Sequence, residues 1–218
     1  MSSEPTAFLY PFIDADERHS ATLLTDLAAS ARSKIAESHD LRATALQRST
    51  GDLQRAGQAM AERFRRGGRL FTFGNGGSAT DAEATAVLFR RPPHGRSLPA
   101  VSLVDDGAIL TALANDVGYE LVFTRQVIAH ARPGDIAMGF STSGGSVNVL
   151  RAFEESTRRN LLTLGLAGYD GGAMATSVAV DHCLVVPSDS IHRIQETQQA
   201  LVLELWSIVQ RCLGEAAD

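Results

Sequence analysis

Ile136-Ala137-Met138-Gly139-Phe140 runs into Ser141-Thr142-Ser143-Gly144-Gly145-Ser146 and then into Val147-Asn148-Val149-Leu150-Arg151-Ala152-Phe153. An apolar run of strand length that ends in hydroxyls and glycines and then opens a helix gathers several donors at one place. These are backbone N–H groups, the positive end of the helix and the Ser and Thr hydroxyls. Such a turn suits a phosphate, although a plain strand-to-helix turn with a serine N-cap would use the same residues. A second turn of the same kind favours the phosphate reading. Leu70-Phe71-Thr72-Phe73 leads into Gly74-Asn75-Gly76-Gly77-Ser78 and then into a helical Ala79 to Phe89. Two such units converge at the carboxyl ends of a parallel sheet, where open α/β folds bind ligands.

Outward from these turns, strands and helices alternate. Strands are expected at Arg69 to Phe73, Leu98 to Leu103, Ile136 to Phe140, Leu161 to Leu166 and Cys183 to Val186. Helices are expected at Ala79 to Phe89, Ala108 to Leu113, Leu121 to Ala131, Val147 to Arg159 and Ile191 to Leu213. Strands separated by helices of this length imply a parallel, three-layer sheet with right-handed crossovers.

Upstream, residues 1 to about 12 read as an arm. Leu23, Leu24, Leu27, Ala31, Ile35 and Leu41 then fall at helical spacings between Ile13 and Leu46. Ser49-Thr50 offers an N-cap for a second helix carrying Leu53, Ala56, Met60 and Phe64, with Gly67-Gly68 as its stop. A helical pair placed before the first strand is expected to pack on another subunit, the alternative being that it covers its own sheet.

Composition narrows the function. The chain has 218 residues and 44% hydrophobic content, enough for one α/β domain with an accessory helical segment. Its net charge of −5, from 20 Lys+Arg against 25 Asp+Glu, argues against nucleic acid as a partner. Lys34 is the only lysine, which disfavours Schiff-base chemistry. No apolar run is long enough to span a membrane, and Met1-Ser2-Ser3-Glu4-Pro5 has no secretory pattern, so a cytoplasmic location is expected. Cys183 and Cys212 lack metal-type spacing and read as reduced thiols.

Five motifs in order resemble the sugar isomerase (SIS) domain, and more closely its phosphoheptose isomerase subfamily. They are Gly74-Asn75-Gly76-Gly77-Ser78, Ala114-Asn115-Asp116, Ser141-Thr142-Ser143-Gly144, Gly168-Tyr169-Asp170-Gly171-Gly172 and Arg193-Ile194-Gln195-Glu196. The resemblance implies a flavodoxin-like α/β SIS domain over residues 50–218, preceded by an arm and oligomerisation helix over 1–49. It further implies a homo-oligomer, dimer or tetramer, whose ligand is a phosphorylated sugar such as sedoheptulose 7-phosphate.

By the same resemblance Ser141, Thr142, Ser143 and Ser146 hold the phosphate, while Asn75, Gly76, Gly77, Ser78, Asn115, Asp116 and Gln195 complete the site. Gly145 stands where the family usually has Asn. The family's zinc site uses a His and a Glu on the helix after the glycine turn, joined by a Gln and a His on the last helix. Here those positions are Ala84, Leu88, Gln195 and Leu203. Three of the four can neither bind a metal nor carry a proton.

The neighbouring acids do not restore the set, because one residue along a helix is about 100° of rotation. Glu83 and Glu204 therefore leave the shared face, and Glu204 should point nearly opposite Gln195. Gln198 and Gln199 are expected on Gln195's face, and His192 lies at the mouth of the pocket. The expected protein binds a phosphosugar without zinc, in a binding, regulatory or scaffold role with a possible protein partner. The alternative is an aldose–ketose isomerase with relocated groups such as Glu83 or His192. The two readings divide on whether a carboxylate or imidazole stands beside Gln195.

Overall fold

The apolar runs pair into one parallel sheet. In the computed structural model, which describes residues 20–214, β1 (Leu70–Gly74), β2 (Ala100–Ser102), β3 (Ile136–Ser141), β4 (Leu162–Gly168) and β5 (His182–Val186) lie in the order β2-β1-β3-β4-β5. Leu70 pairs with Ile136, Ile136 with Leu162, and Leu164 with His182. β1, β3 and β4 are buried along their whole length, so they carry no charged residue and no polar face, Thr72 and Thr163 being buried with the rest.

The helices are α1 (Ser20–Arg65), α2 (Gly77–Arg90), α3 (Gly107–Val117), α4 (Val122–His130), α5 (Val147–Arg158), α6 (Gly172–Thr176) and α7 (Ile191–Gly214). They cover both faces of the sheet. On one face Met60 and Phe64 of α1, Phe89 of α2 and Leu205 and Trp206 of α7 pack on Ile136, Met138 and Leu164. On the other, Phe123 of α4, Phe153 of α5 and Met174 of α6 pack on Phe71 and Phe73. The expected three-layer α/β architecture is the one observed, with α6 as an added element.

Two expectations about the N-terminal helices are corrected. No second helix starts at Ser49-Thr50, because Thr50 Oγ1 donates to the carbonyls of Leu46 and Gln47 and its hydroxyl is satisfied inside one continuous helix. Of the apolar faces expected to meet another subunit, the part carrying Leu53, Ala56, Met60 and Phe64 covers its own sheet instead, all four being buried. The chain divides into two compact units, one ending at Asp40 and the other beginning at Leu41, and the boundary expected at 49/50 falls inside α1. In the first unit Leu24, Leu27 and Ile35 are 66%, 47% and 69% exposed. The arm expected over residues 1–12 lies outside the described residues.

Both cysteines are free and half-buried, and burial, with Asp52 adding to it, pushes the Cys183 thiol up to about 11. Gln198 is fully buried in α7, and neither of its amide atoms has a partner among the described residues. A buried amide without partners carries its desolvation cost unrelieved. Gln198→Met is therefore expected to stabilise the fold by about 1 kcal/mol. Urea denaturation measures it, and a loss of stability would show that the amide is satisfied in solution.

Candidate functional site

The strand order reverses between β1 and β3, and both conspicuous turns leave the sheet there. Gly74 pairs with Phe140, so the Asn75-Gly76 turn into α2 and the Thr142 to Ser146 turn into α5 stand side by side. They are cross-linked by side chains. Asn75 Nδ2 donates to Asn148 Oδ1 at 2.8 Å, and Asn148 Nδ2 returns a bond to Asn75 Oδ1 at 2.9 Å. Tyr119 Oη also donates to Asn75 Oδ1 at 2.9 Å. The Asn75 amide therefore positions the two turns and binds the segment after α3 to them.

Three hydroxyls converge in the second turn. Ser141 Oγ lies 2.9 Å from Ser146 Oγ and 3.5 Å from Ser143 Oγ, and Ser143 Oγ accepts the Gly145 N–H at 3.2 Å. Ser146 is the N-cap residue of α5, but its hydroxyl makes no cap bond, being turned toward Ser141 instead. The turn is held open by backbone contact. Gly144 has φ +62°, and a Cβ there would collide with the Gly171 carbonyl, so the pair Gly171-Gly172 serves as the seat of this loop. Met174 N–H donates to the Gly144 carbonyl and Gly168 N–H to that of Thr142, both within 2.9 Å. Thr142 is half-buried, and a side chain at Gly145 would meet nothing nearer than 3.7 Å.

Beside the first turn, Gly77, Asp81, His192, Gln195 and Gln199 are among the residues lining a cavity of about 410 Å³. Asp81 is only 9% exposed. Its carboxylate accepts Gln195 Nε2 at 3.1 Å and Gln199 Nε2 at 3.0 Å. Burial raises its pKa above the usual aspartate value, and the two amide bonds pull it back. Gly77 lacks a side chain for a clear reason: a Cβ there would overlap the Gln195 amide. A carboxylate does stand beside Gln195, and it is neither Glu83 nor an imidazole.

Sequence reasoning missed Asp81. The signal lay in its spacing, since Ser78, Asp81, Ala82, Thr85, Ala86 and Phe89 form the buried face of α2, where an acid has no ordinary reason to be. The expectation for the last helix was half right. Gln199 joins Gln195 at the cavity, but Gln198, one residue away, faces the core. Glu204 turns away as expected and pairs with Arg211 at 3.2 Å. Glu83 is exposed on α2, and His192 lies exposed at the cavity wall.

Of the remaining candidates, Gly76 is the N-cap of α2 with φ 55°, and Ser78 is buried under that turn. Asn115 and Asp116 end α3, exposed and bonded to each other at 2.9 Å. At the zinc positions, Ala84 is exposed, Leu88 packs against the core and Leu203 is 52% exposed. A methyl and two isobutyl groups offer zinc no lone pair, so these positions do not fit the metal. Among the described residues no group of three or more His, Cys, Asp and Glu stands where it could hold a metal ion.

A five-stranded parallel sheet with a hydroxyl-lined turn at its switch point defines the class, and comparison with known proteins places the chain in it. The SIS domain family model matches residues 34–168, and the chain belongs to that family. Among its relatives, the phosphoheptose isomerase of Roseiflexus sp. (strain RS-1) is 46% identical over 162 residues, 72% of this chain and 80% of that one. The phosphoheptose isomerase of Campylobacter jejuni subsp. jejuni serotype O:6 is 41% identical over 161 residues, 73% of this chain and 86% of its own. A solved phosphoheptose isomerase from Francisella tularensis superposes with a TM-score of 0.79 at 29% identity, covering 84% of this chain and 98% of that one. The corresponding enzyme of Neisseria gonorrhoeae gives 0.76 at 32%, covering 87% and 99%.

Proposed function

We propose that this chain binds a phosphorylated sugar in the cleft at the sheet's switch point and does so without zinc, in a binding, regulatory or scaffold role. The observation that carries this reading is the convergence of the Ser141, Ser143 and Ser146 hydroxyls at the start of α5. Hydroxyl donors and the free N–H groups of a helix N-terminus together complement a phosphate's oxygens. Sugar hydroxyls then extend toward Asp81, Gln195 and Gln199, whose carboxylate and amides both accept and donate. The similarity to phosphoheptose isomerases supports sedoheptulose 7-phosphate as the first ligand to try.

A second reading, an aldose–ketose isomerase with a relocated acid–base group, is favoured by one observation. Asp81 is a proton-carrying group bonded directly to Gln195. One experiment separates the two: sedoheptulose 7-phosphate with the purified protein, with and without zinc, the heptose product being followed by NMR. An Ala84→His, Leu88→Glu, Leu203→His variant serves as comparison. Saturable binding without turnover supports the binding role. Turnover by the unmodified chain that disappears in Asp81→Asn supports the second reading, and absence of binding sinks both.

Gly77→Ala tests the second wall of the cleft. The new methyl would push the flexible end of Gln195 off Asp81, so the fold should survive while affinity falls about tenfold, near 1.4 kcal/mol. Calorimetric titration beside a thermal melt reads both, and unchanged affinity would remove Gln195 from the site. Homo-oligomerisation belongs to the same proposal, with the exposed Leu24, Leu27 and Ile35 offering an apolar stripe in the first unit. Light scattering is expected to give a dimer or tetramer, and a monomer at micromolar concentration would reject it.

A further inference from the structure

We infer that Tyr119 is a positioning residue of the phosphate site: its hydroxyl fixes the Asn75 amide in the orientation that offers a ligand's oxygen a free N–H and not a carbonyl. The inference rests on the phosphosugar reading above and deepens it by naming what orients a donor beside the hydroxyl turn. Asn75 and Asn148 form a reciprocal pair, Asn75 Nδ2 donating to Asn148 Oδ1 at 2.8 Å and Asn148 Nδ2 to Asn75 Oδ1 at 2.9 Å. Asn148 is 3% exposed in the first turn of α5, two residues after Ser146, so the pair stands at the start of the helix that the converging hydroxyls open.

A reciprocal pair of amides does not choose its own orientation. If both turned over by 180°, each nitrogen taking the place of its oxygen, the same two N–H···O bonds would form. The two orientations differ in what remains outside the pair. As observed, Asn75 Oδ1 has both acceptor positions filled, by Asn148 Nδ2 and by Tyr119 Oη at 2.9 Å. The second N–H of Asn75 has no partner among the described residues. Turned over, that outer position would carry a carbonyl lone pair, and the phenol would face an N–H in place of an acceptor. The donating hydroxyl therefore breaks the tie. Phosphate oxygens take hydrogen bonds from donors, so the observed orientation is the one that suits them.

Burial does not hold Tyr119 in this place, the residue being 56% exposed. It opens the single turn Tyr119–Leu121 between α3 and α4, and the next residue, Glu120, pairs with Arg151 of α5 at 3.6 Å. The turn is tied to the same helix that carries Asn148, with the hydroxyl delivered to Asn75.

The test follows the Asn75 side-chain amide by NMR in the isotope-labelled full chain during titration with sedoheptulose 7-phosphate. Calorimetric affinities and thermal melts of the wild type and Tyr119→Phe accompany it. In the saturated wild type one Asn75 N–H proton is expected to shift, while the other, bonded to Asn148, stays. Tyr119→Phe keeps the ring and loses the hydroxyl, so affinity should fall about tenfold, the scale of one hydrogen bond, and the Asn75 amide should show both orientations. A saturated wild type in which neither proton shifts would overturn the inference and leave phosphosugar binding standing. Wild-type affinity in Tyr119→Phe would overturn it as well, and a lowered melt beside that affinity would make the hydroxyl a structural tie only. If the wild type does not bind the compound, the phosphosugar reading itself fails and takes the inference with it. Should Tyr119→Phe not fold, the wild-type shifts decide whether the orientation fixed by the hydroxyl is the one the ligand uses.

Discussion

Ser146→Asp is expected to abolish phosphosugar binding, by at least about 100-fold, while leaving the fold as stable as before or slightly more so. The two halves of this expectation come from the same position. Ser146 precedes α5 in an extended conformation, φ −64° and ψ 114°, where Asp is as good an N-cap as Ser. Its hydroxyl now spends itself on Ser141 at 2.9 Å and caps nothing, so an aspartate that turns toward the first helical N–H groups adds a cap. Negative charge at a helix N-terminus adds about 0.3–1 kcal/mol. That charge occupies the place where the ligand's phosphate should lie. Two unit charges about 4 Å apart repel by about 4 kcal/mol at the effective dielectric of a protein surface. Titration with sedoheptulose 7-phosphate and a thermal melt on the same sample measure both effects. Binding within tenfold of the wild type would mean that the phosphate does not use this turn.

The pocket is supported by close approaches of backbone and small side chains. Gly144 sits on the Gly171 carbonyl, Gly77 lies under the Gln195 amide, and the Asn75–Asn148 pair clamps the two turns together. A cleft held this way is preorganised, so little ordering cost remains for the ligand to meet. The same wall keeps Asp81 buried against two amides, an arrangement whose desolvation costs stability.

The sheet was legible because its central strands are buried on both faces and punctuated by glycine. Ile136 to Phe140 and Leu162 to Leu166 cannot be mistaken for amphipathic helices, being too short and free of charged residues. The turns were legible as strand-to-helix turns because each strand-length apolar run ends in glycines and hydroxyls before a helix opens. What escaped detection depended on contacts between distant residues. Asp81 looks like a surface acid within Ala79-Thr80-Asp81-Ala82-Glu83-Ala84, and its partners lie 114 and 118 residues away. Thr50 looks like a cap, yet its hydroxyl bonds backward into its own helix, a choice that local sequence leaves open. α6 is one short turn that begins on the second of two glycines, too brief for any periodicity to reveal it. Gln198 and Gln199 were treated alike although one step of rotation sends one to the core and the other to the cleft.

Asp135→Ala is expected to produce the largest loss of stability, about 3–5 kcal/mol, without touching the cleft. Asp135 is 3% exposed at the start of β3, at the opposite end of the strand from Ser141. Its carboxylate accepts the Arg69 N–H at 2.8 Å, the Arg132 N–H at 2.8 Å and the Arg69 guanidinium at 2.9 Å. That guanidinium also donates to the His130 carbonyl and lies over the Phe71 ring. One side chain therefore ties together the entrances of β1 and β3, the two strands whose far ends carry the turns. Removing it leaves two backbone donors and a partly buried cation unpaired, a larger penalty than losing an exposed ion pair. Asp135→Asn keeps an acceptor and should lose about half as much. In a chain of this size a loss of about 3–5 kcal/mol corresponds to a melting temperature lower by roughly 10 °C. Urea denaturation of both variants gives the free energies, and titration with sedoheptulose 7-phosphate below the transition shows whether the cleft is intact. A loss under about 1 kcal/mol would show that the network is replaceable by water. A loss of affinity in the folded variant would show that the entrances of β1 and β3 control the geometry of the turns at their exits.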